Sequence, residues 1–335
     1  MVSIIDVARY AGVSPSTVSY ALSGKRPISA ETRQRVQQAV RALGYRPHGG
    51  ARAPADHRSK VLALMVPLRP GVPVPPAMSC AGSVVTTARR YDHDVLLLTR
   101  DQGEAGLLRF AKNALVDALI VLDGQLSGPR LPRLRALDLP TVLVGVPAEP
   151  AGLPCVDLDF AAAGELCVER LAALGHRVVA LVGPPPEVYV RRAAFARRVV
   201  RGFTAAADRH GLASLARPCA ASPEAARAVA ERLLREQPAL TAVVVHNEAV
   251  LGPLIDAFEQ LGLRVPADLS VIAVCPADTA PAPRIPVTSV DLPSAELGER
   301  AVELLIAEPT AAAVPGETLL PPRLTDRAST APRPV

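Results

Sequence analysis

Candidate chemistry is sparse along these 335 residues. Cys275 and His246 are a nucleophile and a base on paper. Neither lies in a nucleophile elbow, and no acid stands where it would orient the imidazole. There is no Walker-type glycine loop, and no His, Cys, Asp or Glu set has metal-ligand spacing. Cys80, Cys155, Cys167, Cys219 and Cys275 form no paired framework, which fits a reducing compartment and argues against structural zinc. An enzyme is therefore not expected, nor a metal or cofactor. What is concentrated is positive charge. Residues 1–60 hold ten Lys and Arg against Asp6, Glu31 and Asp56, a net +7 where the whole chain carries +5, so the remainder is −2. A basic head on a slightly acidic body is suited to phosphate, because Lys and Arg displace counterions from nucleic acid.

The elements that position this charge are short helices. DVARYAGVSPSTVSYALSG (6–24) places Val7, Ala8 and Ala11 at helical spacing, and Gly12 stops the first helix. Ser14 then caps a second helix with Pro15 at its first position, running through Val18, Ala21 and Leu22 to Gly24. Two helices around a tight glycine turn are a helix-turn-helix pattern. SAETRQRVQQAVRALG (29–44) gives a third helix, capped by Ser29 and striped by Val36, Val40 and Leu43. The next stretch, YRPHGGARAPADHRSK (45–60), is polar, basic and broken by Gly and Pro, and reads as a linker.

From Val61 onward, short apolar runs alternate with helical segments. Strands are expected at 61–66, 94–99, 117–122, 141–145, 178–183, 242–246 and 271–274. Helices are expected at 77–91, 104–115, 129–137, 160–174, 191–210, 223–237 and 248–261. Continuous apolar strands between helices indicate parallel sheets covered on both faces, and two such sets imply two doubly wound lobes with a crevice between them. Pro-rich stretches at 67–76 and 308–335 read as irregular, the latter as a mobile tail apart from one late strand. Apolar content of 49% fits a globular chain. No signal peptide or membrane-length apolar run is visible, so a soluble cytoplasmic, nucleoid-associated protein is expected.

The chain resembles the lactose-repressor (LacI/GalR) family of bacterial transcription factors over nearly its whole length. The matching residues are DVARYAGVSPSTVSYALSG and ISAETRQRVQQAVRALGYRP in the head. In the body they are LAALGHRVVALVGPP (171–185), RGFTAAADRHGL (201–212), LGLRVPADLSVIAV (261–274), VTSVDLPSAELGERAVELL (287–305) and LTDRAST (324–330). The resemblance implies a helix-turn-helix domain at 1–47, a hinge at 48–60 and a periplasmic-binding-protein-like core at 61–330. Lobe one would be about 61–158 and 291–318, lobe two about 159–288 and 319–330, with a tail at 331–335. It also implies a homodimer on a pseudopalindromic double-stranded operator, commonly as a repressor, with a small-molecule effector in the crevice. Pro15, Ser16 and Tyr20 would face base edges. Ser14, Thr17, Ser19, Ser23, Lys25, Arg26, Ser29 and Thr32 are suited to phosphate oxygens. For the serines the structural alternative is a cap or solvated surface; for Tyr20 it is a packed aromatic.

Two regions depart from the family. Its hinge helix wedges a leucine into the minor groove, whereas this chain has GGARAP (49–54) with Pro54 there. Either Pro54 is the wedge or the hinge stays extended and Arg52 follows the groove. In the crevice, positions where sugar-binding members carry hydroxyl-binding groups hold Gly145, Val199, His246, Asn247, Cys275 and Leu292, and Phe195 replaces a small polar residue. Three explanations stand: an effector less polar than a sugar; anion binding by Arg191, Arg192, Arg197 or Arg198; or an empty crevice on a constitutive DNA binder. The first is preferred.

Overall fold

The computed structural model describes residues 3–23, 26, 28–43, 59–66, 74–99, 115–122, 130–136, 139–148, 152–280, 283–306 and 316–334. It divides into two units, Met1–Arg58 and Ser59–Val335. Lys25, the hinge residues Arg52 and Pro54, the stop residues Gly24 and Gly44, and the helix expected at 104–115 lie outside the described residues.

The first unit is three helices, α1 (Ile4–Ala11), α2 (Pro15–Ser23) and α3 (Ala30–Leu43). α1 starts earlier than its apolar spacing suggests, because Ser3 and Asp6 form a reciprocal capping box. Gly12 sits at φ +65, and the turn closes with Val13 N–H donating to Ala8 O at 3.0 Å. Ser14 Oγ accepts from Thr17 N–H at 3.1 Å, and Ser29 Oγ from Thr32 N–H at 3.3 Å, so both expected caps are made. Val7, Ala8, Ala11, Val18, Val36 and Ala39 form the buried centre, with Val40 and Leu43 partly buried against it. Leu22, expected on this face, is instead 38% exposed.

The second unit carries two six-stranded sheets. Lobe one contains β1 (Val61–Met65), α4 (Val74–Arg90), β2 (Asp94–Leu98), β3 (Ala118–Leu122), α5 (Arg130–Arg135), β4 (Thr141–Val144) and β5 (Cys155–Leu158). Lobe two contains α6 (Phe160–Ala173), β6 (Val178–Gly183), α7 (Pro186–Val190), α8 (Ala194–Arg209), β7 (Ala213–Pro218), α9 (Pro223–Glu236), β8 (Ala242–Val245), α10 (Leu251–Gln260), β9 (Ser270–Pro276) and β10 (Thr288–Leu292). The chain then returns to lobe one with α11 (Ser294–Ile306) and β11 (Glu317–Leu320), and ends in lobe two with β12 (Leu324–Thr325). The strand orders are β11-β5-β4-β3-β1-β2 and β12-β10-β9-β8-β6-β7. Every pairing is parallel except β12 on β10. The chain crosses between lobes three times, after Leu158, Leu292 and Leu320.

Buried apolar strands drive this arrangement. In β9, SVIAVCP is buried at every residue, and in β8 so is AVVV. α6 and α8 pack at close approach in lobe two. A Cβ on Gly202 would lie 1.9 Å from Ala161 O, and one on Gly164 would lie 2.4 Å from Val199 O. Only glycine permits backbones this near.

Several expectations need correction. α4 begins at Val74, inside the Pro-rich stretch read as irregular, since proline is tolerated in a first turn. The helix expected at 191–210 is α8, Ala194–Arg209, preceded by a short helix that was not expected, α7, and the one at 248–261 opens with a 3-10 turn over Glu248–Val250. Strands β5, β7 and β10 were not expected, and the late stretch holds two strands, β11 and β12, where one was expected. Nor are residues 316–334 a mobile tail. Ser329 is fully buried and donates to Val271 O at 2.5 Å, Ala331 N–H donates to Ser270 Oγ at 3.0 Å, and Arg333 N–H donates to Leu174 O at 2.8 Å.

Candidate DNA-reading helix and ligand crevice

In the first unit, α2 presents a hydroxyl-rich opening turn. Ser14, Pro15, Ser16 and Ser19 are exposed, and Thr17 and Tyr20 half-buried. Ser14 Oγ lies 2.8 Å from both Ser16 Oγ and Thr17 Oγ1, so one hydroxyl organises its neighbours while capping the helix. Ser29 Oγ donates to Thr32 Oγ1 at 2.8 Å in the same manner at the start of α3. The guanidinium of Arg26 stands 5.4 Å from the centroid of the Tyr20 ring, within cation–π range. Tyr20 is thus neither free nor sealed in the bundle: one face carries a cation. α2 offers polar hydrogen-bonding groups at its N-terminus and a positive charge over Tyr20 further along, group types suited to base edges and phosphate.

In the second unit, the crevice lies between the ends of the two sheets. One hollow of about 210 Å³ is bounded by lobe-one residues Leu122, Val144, Gly145 and Asp157, and by Phe160, Phe195, His246 and Glu248. An adjoining hollow of about 410 Å³ shares Phe195, His246 and Glu248 and adds Asn247 and Val188. Leu292 borders the first hollow and a third, of about 470 Å³, near the crossing strands. Of the residues expected to touch an effector, Gly145, Phe195, His246, Asn247 and Leu292 therefore reach the wall.

Three others do not line these hollows. Val199 is fully buried inside lobe two, on the face of α8 packed against α6. Cys275 is fully buried in another part of that core, and burial pushes its thiol up to about 12. Arg198 donates to the carbonyls of Val146 at 3.1 Å and Pro147 at 3.3 Å, fastening lobe two to lobe one. Arg191, Arg192 and Arg197 are exposed and border none of the three hollows.

Sequence reasoning missed three contributors, Phe160, Asp157 and Glu248. Phe160, Phe195 and His246 form a triangle with every pair of ring centroids 5.6 Å apart, Phe195 meeting His246 edge-on at 83°. His246 is buried and burial drives its pKa down to about 4, so the ring is neutral at pH 7. Asp157, in the middle of β5, accepts from Val146 N–H and Leu158 N–H, each at 2.9 Å, yet burial raises it to about 6. Glu248 is also raised by burial, against the lowering effect of a hydrogen bond from its own backbone, and among the described residues its Oε1 is a buried oxygen without a donor. The Asn247 amide nitrogen donates to Cys219 O at 2.8 Å. Among the described residues no group of three or more His, Cys, Asp or Glu could hold a metal, and no helix is long and apolar enough to cross a membrane.

A three-helix unit with an exposed, capped second helix, followed by a two-lobed parallel α/β core around a crevice, defines a DNA-binding protein with a periplasmic-binding-type sensor. Comparison with known proteins agrees. Residues 3–48 match the bacterial regulatory proteins of the lacI family, and residues 168–330 match the periplasmic binding protein-like domain. The chain is 30% identical to the HTH-type transcriptional regulator MalR of Streptomyces coelicolor, over 99% of this chain and 97% of that one. It is 30% identical to the regulator AglR of Rhizobium meliloti, over 81% and 77% of the two chains. The same architecture is seen in the lac repressor dimer bound to operator and the anti-inducer ONPF, with a TM-score of 0.69 at 24% identity, over 98% of this chain and 99% of that one. The chain belongs to the LacI family of bacterial transcriptional regulators. It is a DNA-binding regulator with an effector-binding domain, and the family's members are not enzymes.

Proposed function

We propose that the protein is a cytoplasmic repressor that binds a pseudopalindromic operator as a homodimer and releases or tightens it when a small molecule enters the crevice. In this reading residues 1–47 are the DNA-binding domain, 48–60 the hinge and 61–330 the sensor. Pro15, Ser16 and Tyr20 face base edges, with Ser14, Thr17, Ser19, Ser23, Lys25, Arg26, Ser29 and Thr32 on phosphates and Arg52 or Pro54 in the minor groove. The observation that carries it is the exposed Ser14–Ser16–Ser19 row with Arg26 stacked on Tyr20. A single three-helix head offers too few base contacts to select one genomic site, so two heads on an inverted repeat are needed. A relative in fold was solved as a dimer on its operator, and another, CelR, with cellobiose, which supports both halves of the reading.

A second reading, a ligand-independent DNA binder, is favoured by Asn247 being occupied internally and by Val199 and Cys275 being buried in the core. Genome-wide mapping of bound sites followed by operator-affinity measurements against a metabolite library separates them. A half-site repeat with an affinity that shifts on ligand addition supports the first. An operator whose affinity no metabolite alters supports the second.

A further inference from the structure

The described wall of the two hollows sharing Phe195 carries acids and no Lys or Arg. In the hollow around Phe195 the charged side chains among the described residues are Asp157 and Glu248, both acids. Asp157 is satisfied by two backbone N–H groups, but Glu248 Oε1 is buried without a donor. Such an oxygen is costly to leave unpaired in an apolar setting, and a ligand that brings a donor recovers that cost. The rings of Phe160, Phe195 and His246 line the same hollow as Glu248.

This composition discriminates between ligand classes. A polyol needs a partner for each buried hydroxyl, some donating and some accepting. Here one donor of the Asn247 amide is already given to Cys219 O, and Val199 and Cys275 lie inside the core. A phosphorylated or carboxylated ligand needs cations at the wall, yet the described wall of the two hollows sharing Phe195 contains none. A protonated amine meets both features at once: its N–H groups and charge suit the unpaired Oε1 of Glu248, and a cation is attracted to ring faces. A flat apolar body on that amine would fill the space between Phe160, Phe195 and Leu122.

We propose that the effector is an organic cation, a protonated amine on an apolar or aromatic body, with its ammonium on Glu248 and its body against Phe160 and Phe195. This rests on the reading of the crevice as the effector site. The test uses the full chain and four probes: phenethylamine, its neutral analogue 2-phenylethanol, the anion 3-phenylpropanoate, and cellobiose. Calorimetric titration is expected to show phenethylamine binding at least about tenfold more tightly than 2-phenylethanol. Glu248→Gln should erase that preference by weakening the amine far more than the alcohol, and Phe195→Leu should weaken both without changing their ratio. Equal binding of amine and alcohol, or retained preference in Glu248→Gln, overturns the proposal. Tighter binding of 3-phenylpropanoate or cellobiose overturns the class but leaves an effector site standing. Binding of none of the four overturns the cation and counts against the effector reading as well.

Discussion

Arg198 of α8 donates to the carbonyl of Val146, just beyond β4, at 3.1 Å. The N–H of the same Val146 donates to Asp157 at 2.9 Å, so one residue of lobe one is held from both sides. The crevice wall and the tie between lobes thus share a residue, and a ligand displacing Asp157 would be felt at Arg198.

Arg198→Met keeps the apolar stem and removes the two bonds to lobe one. Hydrogen bonds from a charged donor contribute about 1.5–3 kcal/mol, and partial exposure keeps this pair at the low end. We expect a loss of that order in urea unfolding, and faster amide exchange at Val146. Unchanged exchange there would show the tie to be idle.

Asp157 and His246 titrate against each other. Folding raises Asp157 from 3.8 to about 6, so its contribution to stability is present at low pH and lost as pH rises through that window. Folding lowers His246 from 6.5 to about 4, so its contribution is present above 6.5 and lost as pH falls toward 4. Each shift corresponds to an order of 3 kcal/mol. Relative to the parent protein, Asp157→Asn should gain stability as pH rises from 4 to 6, and His246→Phe should lose it between 4 and 6.5. Parallel profiles for all three proteins in guanidinium melts across pH 4–7 would contradict this.

The α6–α8 contact predicts an asymmetric glycine series. Gly202→Ala and Gly164→Ala force a methyl into the facing backbone and should cost about 2–4 kcal/mol. Gly252→Ala, near the start of α10 with nothing within 4 Å, should be neutral or stabilising by up to about 1 kcal/mol. Urea midpoints for the three variants decide it.

Tyr20→Ala should alter which half-site is selected, read by sequencing DNA bound from a random pool, while nonspecific affinity stays nearly unchanged. Equal loss on all DNA would make Tyr20 purely structural. Operator affinity should fall steeply between about 50 and 200 mM salt, and Arg26→Ala should flatten that slope by about one contact. Fluorescence anisotropy measures both.

The head was legible because its signals are local: Ser14, Ser29 and Gly12 act within one turn, and each does what its spacing implied. The body was legible only where strands are wholly apolar. β5 reads CVDL, and the acid in its middle hid the strand and with it Asp157. β7 reads ASLARP, an edge strand whose Arg217 and Pro218 look like loop. Glu248 carried no signal, because an unpaired oxygen is a property of the surrounding fold rather than of the residue. Val199 and Cys275 were placed at the crevice by family position, but helix facing and sheet burial turn them inward.

The late return of the chain through both lobes couples their fates. Residues 317–325 supply the outermost strand of each sheet in turn. A product terminated before Gly316 would leave two raw edges, one on each domain half, each open to recruiting a foreign strand. Premature termination in this last tenth of the sequence is thus expected to yield aggregates rather than a sensor missing one half.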